Sequence, residues 1–419
     1  MPAPQIYSES RNAPGGVMFY KALDSAKVVE YGSLVSGPFC AKILADLGAE
    51  VIKIEEPGCG DDSRRQEPFL KDTPGIENSG LFLYLNMNKL GVTLNLETTT
   101  GKKIFGELLK KADIFVENNP RKRMKELGLS YEDIKQINPS IVMTSITPFG
   151  QTGPYKDYKG GELVNTHLGG VGYLSTREGD ISKEPLKYPA HLFSFQAGLS
   201  AAAATLGSVY RQRVTGEGML LDVSEQESVI QNLNASIARY SYTKQISRRT
   251  DVLNMAPHHI LPCKDGYIYA SFVQEHQWRR FVDVMGHPDW ADSELFANAE
   301  IRSQYWDALK PLMLEWMMQH TVEEIYRWSQ EKGVPLGAVR TAAQVLEDKQ
   351  MRAREFFVDV DREDTGKLTY PGVPYRFSGI QREAPAAAPF LGQHNEEIYC
   401  GRLGYARRDL ARMREAGII

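Results

Sequence analysis

Few side chains in this sequence stand at a spacing that performs chemistry unaided. Ser194 lies in the run Phe193-Ser194-Phe195-Gln196, which opens a small-residue helix within Glu184–Gly218. The free N–H groups and positive dipole end there favour an anion, a carboxylate or a thioester oxygen. A second candidate is the run Arg121, Lys122, Arg123 and Lys125. At a helix start on the C-terminal edge of a parallel sheet such cations suit a pyrophosphate or a 3′-phosphate, although a solvated helix face has the same composition. A serine-hydrolase reading of Ser194 fails, because no G-x-S-x-G elbow is present and His191 would face the opposite side of an extended approach. His258 and His259 are adjacent on one strand and face apart, so no metal site is expected. Cys40, Cys59, Cys263 and Cys400 form no C-x-x-C pair and read as reduced thiols.

The elements that must position these groups follow from periodicity. Val28–Tyr31, Val51–Ile54, Ile114–Glu117, Ile141–Ile146 and Met219–Ser224 read as strands. Helices opening at Gly37-Pro38 and covering Lys102–Leu109 separate the early ones. Such compact strand-helix-strand units imply parallel pairing with right-handed crossovers. No G-x-G-x-x-G follows the first strand, so the nicotinamide and flavin fingerprint is absent. In the helix after Ser194, residues Ala197, Gly198, Leu199, Ala201–Ala204 and Leu206 supply apolar contacts on more than one face. Arg211 and Arg213 fall in its last turn, so the first half is expected to be buried. Glu225–Tyr242 reads as an amphipathic helix and His259–Phe272 as a hairpin turning at Lys264-Asp265-Gly266. Glu275–Leu346 reads as mostly helical, around Trp278, Phe281, Trp290, Phe296, Trp306, Trp316 and Trp328. Gly333–Val339 reads as a turn.

With 419 residues, two domains are expected. The boundaries are a large Rossmann-like α/β domain over 20–230, a linker over 231–254, a smaller α/β domain over 255–345, and a return segment over 346–419 that completes the first. A composition of 42% hydrophobic and 24% charged residues is that of a globular chain, and a formal charge of -4 argues against nucleic acid as a partner. No apolar run approaches the roughly 18 residues of a membrane span, and residues 1–16 lack a signal-peptide core, so no membrane partner and a cytoplasmic location are expected.

Several motifs occur in one order: G-P at Gly37, L-G-A-E-V-I-K-I-E at Leu47–Glu55, G-C-G-D-D-S-R-R at Gly58–Arg65 and Y-L-N-M-N-K-L-G-V-T-L-N-L at Tyr84–Leu96. They continue with E-N-N-P-R-K at Glu117, P-F-G-Q-T-G-P-Y at Pro148–Tyr155, K-G-G-E-L at Lys159–Leu163 and T-G-E-G at Thr215–Gly218. G-V-P-L-G-A-V at Gly333–Val339 and L-G-Q-H-N-E-E-I-Y at Leu391–Tyr399 complete the set. Together they resemble family III CoA-transferases, the superfamily that also holds acyl-CoA racemases. The resemblance implies a Rossmann-like large domain, a smaller α/β domain and an interlocked dimer, with coenzyme A or acyl-CoA as substrate and no metal. It implies CoA contacts at Leu34, Lys89, Asn118, Asn119, Arg121 and Lys159, Asn119 standing where the family has an aromatic. It puts an active-site carboxylate at Glu162, for which a helix-start carboxylate facing the dipole is the plainer alternative. The family's nucleophilic aspartate falls on Ser194.

That substitution decides what chemistry is expected. Family catalysis passes the acyl group to an aspartate as a mixed anhydride and then forms an enzyme-CoA thioester, both close in energy to the acyl-CoA. An acyl-serine is an ordinary ester and cannot take part. Racemisation needs two acid/base groups, and the corresponding positions here are Gly161 and Ser194. Three readings remain. The chain is a subunit of a heteromeric CoA-transferase whose paralogous partner does the covalent step, moving CoA from a donor such as succinyl-CoA to a small carboxylic acid. Or it is an active homodimer using Glu162. Or it is an acyl-CoA lyase or CoA-binding regulatory protein. The first is preferred, because the motifs are intact while the nucleophile alone is vacated.

Overall fold

Residues 21–175, 183–249, 257–380 and 383–419 are described by the computed structural model. Six parallel strands form its main sheet: β1 (Lys27–Tyr31), β2 (Glu50–Glu55), β3 (Lys89–Thr93), β4 (Ile114–Glu117), β5 (Val142–Thr147) and β6 (Met219–Ser224), in the order β3-β2-β1-β4-β5-β6. This is the doubly wound arrangement, with its order reversal between β1 and β4. β4 and β5 are buried at every position because both faces are covered. Alternate residues divide between two cores: Val28, Val51, Ile114 and Val116 in one, Val29, Ile52 and Phe115 in the other.

The helices follow in chain order. α1 (Ser36–Asp46), α2 (Gly80–Leu85), α3 (Thr99–Leu109), α4 (Arg121–Leu127), α5 (Tyr131–Ile137), α6 (Glu162–Leu168) and α7 (Leu192–Thr215) belong to the sheet-bearing part. α1 and α7 pack on one another, and the small residues of α7 are required there: a Cβ on Gly198 would meet the Ser36 carbonyl at 2.6 Å. Gly216, left-handed at φ 74°, ends α7. Only one face of α7 is buried, through Phe193, Ser194, Ala197, Gly198, Ala201, Ala202, Thr205, Ser208 and Val209. Leu199, Ala203 and Ala204, counted in the sequence among the apolar contacts on more than one face, stay exposed. By length and composition α7 could cross a membrane, contrary to the expectation that no run approaches that length. Here its buried face lies in the core against α1, β5 and β6.

α8 (Glu225–Ile230) and α9 (Asn234–Thr243) succeed β6, so the span read as a linker over 231–254 is helical as far as Thr243; residues 250–256 lie outside the described ones. No residue of α9 is buried, and it exposes Ile237, Tyr240 and Tyr242. β7 (His258–Cys263) and β8 (Gly266–Ser271) form the expected hairpin. β9 (Leu336–Val339) adds a third antiparallel strand where the sequence reads as a turn. A one-sided strand of L-G-A-V is short and glycine-bearing, so its pairing with Tyr267–Ala270 decides its conformation rather than its propensity. α10 (Glu275–Val284), α11 (Ala299–Gln304), α12 (Trp306–Met317) and α13 (Val322–Glu331) cover this sheet. Trp278, Phe281 and Phe296 are buried in its core, while Trp290, Trp306 and Trp316 pack on the margin.

α14 (Ala342–Leu346), α15 (Lys349–Ala353) and the hairpin β10 (Phe357–Arg362) with β11 (Gly366–Pro371) lead back to the main sheet. Gly91 of β3 exchanges hydrogen bonds with His394, and Thr93 with Asn395. Ile398, Tyr399 and, from α16 (Arg407–Glu415), Leu410 and Met413 enter the core beside Val92 and Phe105. Arg64, fully buried, joins Glu55 and Glu77, and Arg362 reaches the same Glu77.

Further buried ionisable groups lie within the sheet. Glu30 on β1 pairs with Lys53 at 2.8 Å and Lys89 at 2.7 Å, all three shielded from water, and Lys53 also meets Asp61 at 2.7 Å. Replacing Glu30 by Gln leaves the Lys89 ammonium without its anion and should cost about 3–5 kcal/mol, read from the urea unfolding midpoint. A loss below about 1 kcal/mol would make the network dispensable. Glu117, ending β4, is pushed up to about 7 by burial, against hydrogen bonds from Ser145 and Asn119. An unfolded glutamate titrates near 4.5, so between that value and about 7 the folded chain holds the extra proton. Stability should therefore fall by about 3 kcal/mol as pH rises through this window. Glu117→Gln should flatten that slope in urea melts taken across the window; an unchanged slope would assign it to other groups.

Candidate active site

All six strands end at one edge, and the chemistry-bearing side chains gather there. Helix α7 begins at this edge with its first-turn N–H groups unsatisfied by its own backbone. Glu162, the first residue of α6, supplies the acceptor: one carboxylate oxygen receives the Phe193 N–H at 3.0 Å, the other the Ser194 N–H at 2.8 Å and the Ser194 hydroxyl at 2.7 Å. The two residues singled out in the sequence are thus in direct contact. The anion expected at this helix end is a carboxylate of the same chain.

A second carboxylate lies beside them. Glu225, at the start of α8, accepts from the Asn165 side chain at 2.7 Å, and burial raises its carboxyl, eased by the Ser36 hydroxyl and reinforced by the charge of Glu162. Sequence reasoning missed it, because V-S-E-Q-E after a strand reads as an ordinary helix start with acids facing the dipole. Only the parallel pairing of β5 with β6 brings that start next to α6.

Asn118 holds the other side of the site. Its carboxamide accepts the Ser33 N–H and donates to the Ser33 carbonyl, both at 2.8 Å, and donates to the Ser36 hydroxyl at 3.1 Å. It therefore ties the loop after β4 to the loop after β1, across the strand-order reversal. Gly37 makes room for it, since a Cβ there would lie 2.9 Å from the carboxamide. Asn119 turns back to the sheet, donating to the Tyr31 carbonyl at 2.6 Å and, from its backbone, to Glu117 at 2.7 Å.

The remaining expected CoA contacts fall into two sets. Leu34 is left-handed at φ 61°, exposed at the site edge, with its N–H on Asp61. Arg121 pairs with Asp157 at 3.2 Å, and Lys159 is exposed on the loop before Glu162. These three remain at the accessible rim. Lys89 does not: its ammonium is buried and its three donors meet Glu30, the Pro38 carbonyl and Asn86. Burial pulls it down to about 8. The assignment of Lys89 to the nucleotide is corrected accordingly, because no donor is left for a phosphate. Among the described residues no group of three or more His, Cys, Asp and Glu is placed to hold a metal.

This arrangement can hold a carboxylate or an oxyanion at the start of α7, but Ser194 itself offers only a hydroxyl that is donated to Glu162. Comparison with known proteins agrees with the geometry. Residues 23–395 match the profile described as CoA-transferase family III. The chain is 30% identical over 405 residues to the succinyl-CoA–D-citramalate CoA-transferase of Chloroflexus aurantiacus, covering 95% of this chain and 98% of that protein. It is 31% identical over 418 residues to the formyl-CoA:oxalate CoA-transferase of Streptomyces avermitilis, covering 95% and 100%. A CAIB/BAIF family protein from Brucella suis superposes with a TM-score of 0.81 at 28% identity, covering 90% of this chain and 98% of that one. Matched by that profile over residues 23–395 and by relatives along nearly its whole length, this chain belongs to CoA-transferase family III.

Proposed function

We propose that this chain is the subunit of a heteromeric CoA-transferase that does not carry the covalent step, the nucleophilic carboxylate being supplied by a paralogous partner. The observation that carries this reading is Ser194: at the first turn of α7 it presents a hydroxyl, whose ester is too stable to hand an acyl group to a carboxylate. Glu162 does not make good the loss, because both of its oxygens are held by three donors of α7. The substrates of the reading are an acyl-CoA, such as succinyl-CoA or formyl-CoA, and a small carboxylic acid, by analogy with relatives that act on these donors.

Assembly belongs to the same reading. Residues 20–230 and 346–419 form the large domain and 255–345 the small one, and the two chains interlock. The apolar side chains Leu199, Tyr210 and Val214 on α7, with Ile237, Tyr240 and Tyr242 on α9, stand open in the single chain and suit cover by another subunit.

A second reading has one observation in its favour. The Glu162 carboxylate touches Ser194, so it occupies the neighbourhood in which the family's acyl acceptor works, and a homodimer could use it. Substitutions in the co-expressed, assembled enzyme separate the two. Under the heteromer reading, Ser194→Ala keeps kcat within about threefold of the parent, whereas Asn for the partner's aspartate lowers it by at least about a thousandfold. Activity from a homogeneous preparation of this chain, abolished by Glu162→Gln, would establish the second reading instead.

A further inference from the structure

A cavity of about 480 Å³ lies at the edge of the main sheet opposite to the start of α7. Its walls come from the points where the chain enters the strands: Lys21 and Ala22 before β1, Leu47–Ala49 before β2, Met87 and Asn88 before β3. The return segment closes it with Val358 of β10 and with Val373, Tyr375, Phe377 and Ile380. Tyr375 and Phe377, their ring centroids 5.5 Å apart, make one wall aromatic. The volume is that of a small-molecule site, and mostly apolar walls with a few convergent polar groups are its usual construction.

The polar groups select the ligand. Six charged side chains line the cavity, and all are paired: Lys21 with Glu383 at 2.7 Å, Lys42 with Asp46 at 2.5 Å and Arg376 with Glu355 at 3.3 Å. A charged ligand would have to break a pair or leave its own charge uncompensated. Acceptors are spent as well. The carbonyls of Ile43, Leu44, Ala45 and Leu47, where α1 ends, already receive backbone N–H groups. Asn88 donates to Asp46 at 2.8 Å and accepts the Ala386 N–H at 2.7 Å.

What is left over is donors. Lys42 is 4% exposed, and its ammonium has one hydrogen bond among the described residues, to Asp46, with the Tyr84 ring centroid 5.0 Å away. At least one N–H of this buried group therefore lacks an acceptor, a costly arrangement that a bound acceptor would relieve. The Tyr375 hydroxyl makes no hydrogen bond among the described residues, and burial together with the Asp46 charge pushes it up to about 12, so it stays a donor at neutral pH.

We propose that this cavity is a second binding site, for an uncharged apolar molecule bearing one carbonyl oxygen that the Lys42 ammonium and the Tyr375 hydroxyl receive. The proposal is independent of the transferase reading, since none of these residues belongs to the carboxylate cluster or to the expected CoA contacts.

Fluorescence titration of the assembled protein with 2-acetylnaphthalene, its hydrocarbon counterpart 2-ethylnaphthalene and the anion 2-naphthoate, each with and without excess CoA, tests this. The ketone should bind about 2- to 12-fold more tightly than the hydrocarbon, the worth of one neutral hydrogen bond, and 2-naphthoate more weakly than the ketone. Tyr375→Phe, which disturbs no hydrogen bond of the fold, should remove most of the ketone's advantage and leave the hydrocarbon's affinity unchanged. Val373→Trp, which fills the cavity, should abolish binding of both; where that variant does not fold, the Tyr375→Phe comparison decides. Absence of saturable binding to the parent, tighter binding of 2-naphthoate than of the ketone, displacement of the ketone by CoA, or equal ketone affinity in Tyr375→Phe and parent would each overturn the proposal.

Discussion

In a parallel sheet every strand ends at the same edge, and this sheet reverses its order between β1 and β4, so the loops that follow those two strands diverge. The rest of the molecule depends on how that divergence is held. Asn118 spans it with three hydrogen bonds, to the backbone of Ser33 and to Ser36 at the start of α1. Beneath, Glu30 on β1 gathers Lys53 from β2 and Lys89 from β3 into one buried cluster. A buried ion pair gives little net stability against an apolar substitute, but losing a single member is costly, so such a cluster specifies register more than it adds strength. The position of α1 follows from it, through the Lys89 bond to the Pro38 carbonyl. α7, packed on α1 through Gly198, follows in turn.

The end of α7 then presents an electrostatic demand that something must meet. In a chain with a carboxylate at position 194 the residue itself would bring the charge. With serine there, the carboxylate comes from Glu162, on a separate short helix. This exchange alters what the site can do. A carboxylate whose oxygens are engaged by three donors is the less free to attack, whereas the fold gains a tie between α6 and α7. Glu225 adds a second carboxyl whose burial and proximity to Glu162 favour its neutral form. The cluster is therefore well suited to hold the scaffold and poorly suited to form an anhydride.

Much of the scaffold was legible in the sequence because buried parallel strands and their connecting helices leave strong periodic signals. The strands read from Val28, Val51, Ile114, Ile141 and Met219 were all legible in this way. β3 was not. Its K-L-G-V-T carries a lysine and a glycine whose reasons are long-range: Lys89 answers Glu30, and Gly91 leaves room for Pro389, 2.7 Å from where a Cβ would stand. β9 was hidden similarly, as a glycine-containing run given its form by β8. In the site, Ser194 and Glu162 were found by resemblance, yet their mutual contact could not be read, because it depends on how two helices 24 residues apart in sequence meet at one sheet edge. Lys89 was misread for the same reason that makes it informative. A lysine in a family-like motif carries no mark of whether its ammonium faces a ligand or a buried glutamate.

The claim that the covalent step lies outside this chain is tested most directly by trapping the intermediate. The assembled enzyme would be incubated with its donor acyl-CoA and hydroxylamine, which converts an enzyme-bound acyl or CoA thioester on a carboxylate into a stable hydroxamate. Peptide mass mapping of each subunit then locates the adduct. The account predicts a hydroxamate on a carboxylate of the partner subunit and none on this chain. A hydroxamate at Glu162 would contradict it.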